Sequence, residues 1–228
     1  MLLAGLGAAY QAIAGYRDRK AFPPPGKLVD VGGFRMHLYC AGEGSPAVIL
    51  DSGLSDAWLH WYKVQPEVAA TTRVCAYDRA GLGWSDPSPR PRSSKVIAQE
   101  LHTLLERAGI RPPFVLVGHS MGGLDVRMYA SLYREQVAGM VLVDASHPEQ
   151  FERFPPTLRS GGDLWQQAMR RDARYMRLGI PRLLGWCGTS LPERAGAFRA
   201  FDCTVQQKRG TIAEIESFRE SLSQVRST

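Results

Sequence analysis

The sequence has no histidine after His147, no apolar run long enough to cross a bilayer, and no CxxC pair or Cys/His cluster at metal-ligand spacing. Each absence removes a class of function. The four cysteines, Cys40, Cys75, Cys187 and Cys203, lack the spacing of a zinc site, so no metal is expected. Cys40 and Cys75 lie in apolar, strand-like runs and read as buried packing residues. Cys187 and Cys203 could pair in an oxidising compartment or stay free thiols. There is no internal repeat and no low-complexity tract. Nor is there a block of one charge. The net charge is +6, carried mostly by arginines spread along the chain, and the nearest thing to a run, Arg170-Arg171-Asp172-Ala173-Arg174, holds an acid. That pattern is a solvated basic surface rather than a nucleic-acid site, and it leaves room for a mild attraction to anionic membranes.

The N-terminus, Met1-Leu2-Leu3-Ala4-Gly5-Leu6-Gly7-Ala8-Ala9, is apolar, and the first charge is Arg17. A spanning helix needs about 20 apolar residues; this run is shorter and broken by glycine. It also lacks the basic start of a signal peptide. Two readings stand: an amphipathic or frayed leader, and the tail end of a membrane anchor whose start is missing. Residues 1–20 therefore allow weak membrane association, and the location is either cytoplasmic or membrane-associated.

What is there reads as a globular α/β chain. Its 228 residues, 44% hydrophobic and 22% charged, suit one core domain with an appendage. Phe22-Pro23-Pro24-Pro25-Gly26 is a stiff breaker that closes a leader and linker over residues 1–25. Lys27–Val31 and Phe34–Ala41 read as strands around a Gly32-Gly33 hairpin turn. Ala47–Leu50, Thr72–Tyr77, Phe114–Val117 and Met140–Val143 read as buried strands. Helices fall between them. Ser93 and Ser94 can cap a helix that puts Ile97, Leu101, Leu104, Leu105 and Ala108 on one face and ends at Gly109. A second runs over Met121–Tyr133. The alternation predicts a mainly parallel sheet with helices on both faces over residues 26–148. Residues 149–228 hold no convincing strand and show helical spacing at Ile212, Ile215, Phe218 and Leu222, which predicts a helical cap.

The chemistry concentrates in Val115-Leu116-Val117-Gly118-His119-Ser120-Met121-Gly122-Gly123, a strand, a sharp turn and a helix start. A serine hydroxyl becomes a nucleophile when it is exposed, oriented and deprotonated by a base. The turn lifts Ser120 off the sheet in a strained backbone state. Gly118 and Gly122 flank it because a Cβ at either would crowd the turn. The helix start places the Met121 amide to bind a developing oxyanion. A phosphate-binding loop would want lysine after the glycines, where this chain has Leu124 and Asp125.

Three blocks, Ile49-Leu50-Asp51-Ser52-Gly53-Leu54, Tyr77-Asp78-Arg79-Ala80-Gly81-Leu82-Gly83-Trp84-Ser85-Asp86 and the elbow at Ser120, resemble the α/β-hydrolase superfamily, close to its bacterial esterase-like and lipase-like members. The resemblance covers residues 26 to 148. It implies an α/β-hydrolase fold, a second oxyanion amide from Leu54, and no cofactor. Ser52 stands where the family usually has histidine. Asp78 and Arg79 are expected as a structural ion pair that orders their loop. The family's chain order is serine, then acid, then histidine. Asp144, after the Met140–Val143 strand, is the candidate acid; its other reading is a strand-end residue bonded to the next loop. His147 reads as a loop histidine and His119 as a packing residue. A credible base is missing. The chain is therefore expected to be a fragment that stops before the last strands, with a full-length variant of altered chemistry as the other explanation. The expected function is hydrolysis of a carboxylic ester or related small acyl substrate through an acyl-enzyme at Ser120. The alternative is a truncated or incomplete hydrolase that binds a small apolar ligand without efficient turnover. Dehalogenase and epoxide hydrolase relatives carry aspartate at the elbow, so Ser120 argues against them. In the cap, Trp165 and Trp186 are candidate pocket-lining residues and equally ordinary cap core. Nothing indicates an oligomeric state.

Overall fold

The apolar runs become the strands of one sheet in a computed structural model, which describes residues 2–155, 161–188 and 192–228. Lys27–Asp30 (β1) and Arg35–Ala41 (β2) form an antiparallel hairpin, and the Gly32 and Gly33 amides donate to Asp30 Oδ1 at 2.7 and 3.1 Å. Ala47–Asp51 (β3), Val74–Tyr77 (β4), Phe114–His119 (β5) and Val137–Val143 (β6) are parallel to one another. The six-stranded order is β1-β2-β4-β3-β5-β6. Every residue of β3 and β4 is buried, as strands covered on both faces require.

The helices are Leu2–Ala21 (α1), Val64–Ala69 (α2), Ser94–Arg107 (α3), Gly122–Leu132 (α4), Gln150–Arg153 (α5), Gly161–Arg177 (α6), Ile180–Leu183 (α7), Ala195–Asp202 (α8) and Val205–Arg226 (α9). On one face of the sheet, Leu101 and Leu105 of α3 and Leu124 and Tyr129 of α4 close over Met36, Ile49 and Leu116. Each such buried side chain contributes about 1.5–3 kcal/mol. On the other face Val48, Leu50 and Val74 meet Trp61 and Val68.

The stretch 149–228 does not stand wholly apart as a cap. Leu222 and Val225 of α9 belong to the main core cluster. Small polar residues on the same helix let it approach the start of α3. Ser93 makes no side-chain capping bond; instead the Ser94 amide donates to Ser221 Oγ at 2.9 Å and the Lys95 amide to Gln224 Oε1 at 2.9 Å. The free amides at a helix start thus find acceptors from a helix far along the chain.

The cysteine expectation needs correcting. Cys40 and Cys75 are not packing thiols. They face each other across β2 and β4 with 4.0 Å between Cα atoms and are disulfide-bonded, as are Cys187 and Cys203. Strand register, which composition does not reveal, creates the first pair.

The leader forms a continuous helix. The Gln11 side chain donates to the Cys203 carbonyl at 2.7 Å, and Asp18 pairs with Arg182. Among the described residues no helix is long and apolar enough to cross a membrane. At the far side of the sheet β6 pairs with β5 alone among the described residues, and Val141 and Leu142 are 49% and 48% exposed. Such an apolar edge invites further pairing.

Candidate active site

At the C-terminal end of β5 the chain turns sharply into α4, and Ser120 occupies the left-handed region at φ 51°. Non-glycine residues avoid this region unless their surroundings hold them there. Three backbone bonds do so. The Ser120 amide donates to Val143 O at 3.2 Å, and its carbonyl accepts from the Gly123 and Ser146 amides at 3.0 and 2.9 Å. The elbow is therefore pinned to the end of β6. Ser120 is half-buried, and its hydroxyl makes no hydrogen bond among the described residues.

Gly118 and Gly122 are required by contact. A Cβ on Gly118 would lie 2.5 Å from the Gly122 carbonyl oxygen, and one on Gly122 would lie 2.5 Å from Asp51 O and 2.6 Å from Ser52 O. All of these neighbours are backbone. Gly122→Ala is expected to lower stability by about 1–3 kcal/mol, the range for overpacking. An unchanged urea midpoint would show that the two turns are not in this contact.

The same contact brings the Ser52-Gly53-Leu54 turn against the start of α4. The opening amides of a helix have no intrahelical acceptor, so the Met121 amide is available beside Ser120. Across from it the Gly53–Asp56 turn is closed by the Asp56 amide on Gly53 O at 3.0 Å. Ser52, in the place of the expected histidine, is buried and donates to the Ala57 carbonyl at 3.2 Å.

Arg79 holds this turn from below. Its fully buried guanidinium donates to Ser52 O and Gly53 O at 2.6 Å each, to Asp51 Oδ1 at 2.7 Å and to Glu214 Oε1 at 2.6 Å. Glu214, on α9, also accepts from the Ser55 amide at 2.9 Å, and Gln207 of α9 donates to Ser55 O at 2.6 Å. Burial works to lower the Arg79 pKa, and Glu214 and Asp51 outweigh it, so the group stays charged. Burial, then the Asp51 charge, push the Asp125 carboxyl well above the ordinary range. The Ser94 hydroxyl donates to Asp125 Oδ1 at 2.5 Å.

Asp78 and Arg79 do not pair with each other, contrary to expectation. Successive residues here point to different partners. Asp78 takes the Trp58 and Trp84 amides at 2.7 and 3.0 Å and pairs with buried His37 at 2.9 Å. Burial opposes charge on His37, and Asp78 outweighs it, holding the imidazole above its ordinary value. Each residue still orders loops, as the structural reading required.

No histidine meets the Ser120 hydroxyl. His37 is committed to Asp78 and Pro25 O, His102 stacks on Tyr133, and His60 lies 3.2 Å from Asp56. His119 turns toward Gly53 and stands 3.9 Å from Asp56. His147 is exposed and receives the Glu149 amide on Nδ1 at 3.1 Å. Asp144 follows β6 at φ 43°, exposed, one strand over from Ser120, and bonds to no histidine. Trp186 is 70% exposed and lines no cap interior. The Trp165 side chain lies outside the described residues. No group of residues that could hold a metal ion occurs among the described residues.

Sequence reasoning missed Glu214 and Gln207, which grip the turn beside the serine from α9. The basic residue of the Tyr77–Asp86 block was visible, but nothing near Glu214 marked it as the partner.

The chain is similar to known proteins in sequence and in fold. The α/β-hydrolase-fold family pattern matches residues 46–179. An AB hydrolase superfamily protein of Gibberella zeae is 34% identical over 113 residues, covering 48% of this chain and 35% of that protein. Epoxide hydrolase 4 of Mus musculus is 29% identical over 153 residues, 66% of this chain and 40% of that protein. A thermophilic esterase from Thermogutta terrifontis, with malate bound, superposes with a TM-score of 0.61 at 22% identity, covering 85% of this chain and 72% of that one, and so shares the fold. The chain spans less than half the length of these curated relatives.

Proposed function

Because the chain belongs to the α/β-hydrolase family, we propose that it carries the nucleophile site of a serine hydrolase for carboxylic esters or related small acyl compounds. One observation carries this reading: Ser120 is held at φ 51° at a helix start, with its hydroxyl unengaged among the described residues. In this reading Ser120 Oγ attacks the ester carbonyl carbon, and the carbonyl π electrons move onto oxygen. The Met121 and Leu54 amides receive that oxyanion. The Ser120 proton passes to solvent or an added base; as the oxyanion collapses the ester C–O bond breaks and the alkoxide leaves carrying a proton from the same source. Water then adds to the acyl carbonyl, the acyl–Oγ bond breaks, and the carboxylic acid and the free Ser120 hydroxyl are released. One oxyanion donor is worth about 10²–10³ in rate. Asp144 is the proposed acid that would orient a base. Serine at the elbow, where epoxide-opening relatives carry aspartate, favours acyl chemistry.

The second reading, a site that binds a small apolar ligand without efficient turnover, is favoured by the placement of the five histidines. Free imidazole separates the two. A general base contributes roughly 10²–10⁴, so imidazole should raise Ser120-dependent hydrolysis of p-nitrophenyl acetate steeply, with Ser120→Ala giving the background to subtract. If the wild type and Ser120→Ala give equal rates at every imidazole concentration, the hydrolase reading is wrong and ligand binding remains.

A further inference from the structure

The surface of α1 carries apolar side chains that the rest of the molecule leaves in water. Leu2, Leu6, Ile13 and Tyr16 recur on one helical stripe and are 80%, 60%, 55% and 68% exposed. The opposite face is fixed to the fold. Gln11 reaches the Cys203 carbonyl, Asp18 pairs with Arg182, and the Leu178 backbone lies so close to Gly7 that a Cβ there would meet it. The stripe is therefore presented outward by a docked helix.

The apolar surface continues beyond α1. Leu183, Leu184 and Trp186, in and just after α7, are 64%, 54% and 70% exposed. Leu3, Leu6 and Tyr10 share a groove with Leu183, so the two sets form one continuous face. Its charges have one sign. Within Leu2–Ala21 and Arg174–Gly188, Asp18 is the single acid, and Arg182 engages it. Arg17, Lys20, Arg174 and Arg177 are exposed and make no ion pair among the described residues.

We propose that this face lies on the surface of a bilayer containing anionic lipids. The ridge of α1, Leu183 and Trp186 would enter the headgroup boundary, and the four cations would meet lipid phosphates and carboxylates. Exposed apolar side chains with cations beside them favour this in-plane position on an anionic surface, and Trp and Tyr favour that depth. The charge pattern disfavours a second copy as the occupant, because a two-fold contact would set these cations against themselves. This inference is independent of the chemistry at Ser120.

The test is flotation of the full chain with vesicles of phosphatidylcholine alone and of equal parts phosphatidylcholine and phosphatidylserine. Binding is expected to the mixed vesicles, about tenfold or more above neutral ones and weakened by salt. A blue shift of tryptophan emission should accompany it and be reduced in Trp186→Phe. Leu6→Asp and the Arg174→Glu/Arg177→Glu pair, all at exposed positions, should each lower binding about tenfold while leaving the circular dichroism spectrum unchanged. Equal flotation with both vesicle types, no flotation with either, or a solution dimer split by Leu6→Asp would each overturn the proposal. The wild-type comparison needs no variant and decides even if a substitution unfolds the chain.

Discussion

Arg79→Met is expected to destabilise the protein by about 3–5 kcal/mol, because removing one member of a buried ion pair leaves the other uncompensated. At this chain length that is a drop of about 6–20 °C in melting temperature. The loss is large because the guanidinium serves several masters at once. It pairs with Asp51 and Glu214, both 0% exposed at the side chain, and it satisfies the Ser52 and Gly53 carbonyls. Methionine matches the volume but offers none of these donors. The variant should also react more slowly at Ser120, since the turn that carries the Leu54 amide loses its support. Adding Glu214→Met should restore part of the stability and little of the reactivity. Recovery is expected because one buried charge is then gone, whereas the turn carbonyls stay unpaired. A variant that melts with the wild type would contradict the account of this network.

Ser120 offers the second large effect, in two opposed directions. Ser120→Ala should abolish all serine-dependent ester hydrolysis, bringing the imidazole-assisted rate down to that of imidazole in solution. Ser120→Gly should do the same while stabilising the fold. A non-glycine residue in the left-handed region costs roughly 1–2 kcal/mol, and Ser120 sits there at φ 51°. Alanine keeps the Cβ and with it the strain, so its melting temperature should stay near that of the wild type. A glycine variant no more stable than the alanine variant would mean that the elbow stores no strain.

How far these features could be read from sequence depends on how local they are. The strands β3 to β6 announced themselves as apolar runs, and the elbow as glycine, serine and glycine between a strand and a helix. These signals lie within a few residues of each other. The Arg79–Glu214 pair joins positions 135 apart, and α9 shows nothing that marks Glu214 among its polar residues. The Cys40–Cys75 bridge depends on the β2–β4 register. The helical spacing of Ile212, Ile215, Phe218 and Leu222 on α9 was visible, but of these only Leu222 is buried. The face that packs is largely polar, with Gln207, Thr211, Glu214, Ser217 and Ser221, and apolar periodicity does not mark such a face. Asp78 and Arg79 were correctly placed in a loop-ordering role with the wrong partners, since adjacent side chains in that loop diverge to His37 on one side and Glu214 on the other.

The central claim is that Ser120 is a nucleophile poised beside an oxyanion site. Exposure of the folded protein to a fluorophosphonate, followed by peptide mass spectrometry, tests it most directly. The account predicts a single phosphonyl adduct on the peptide that carries Ser120. It should form faster when imidazole is added and be absent from Ser120→Ala. A folded wild type that stays unlabelled with imidazole present, or that takes its adduct on another residue, would contradict it.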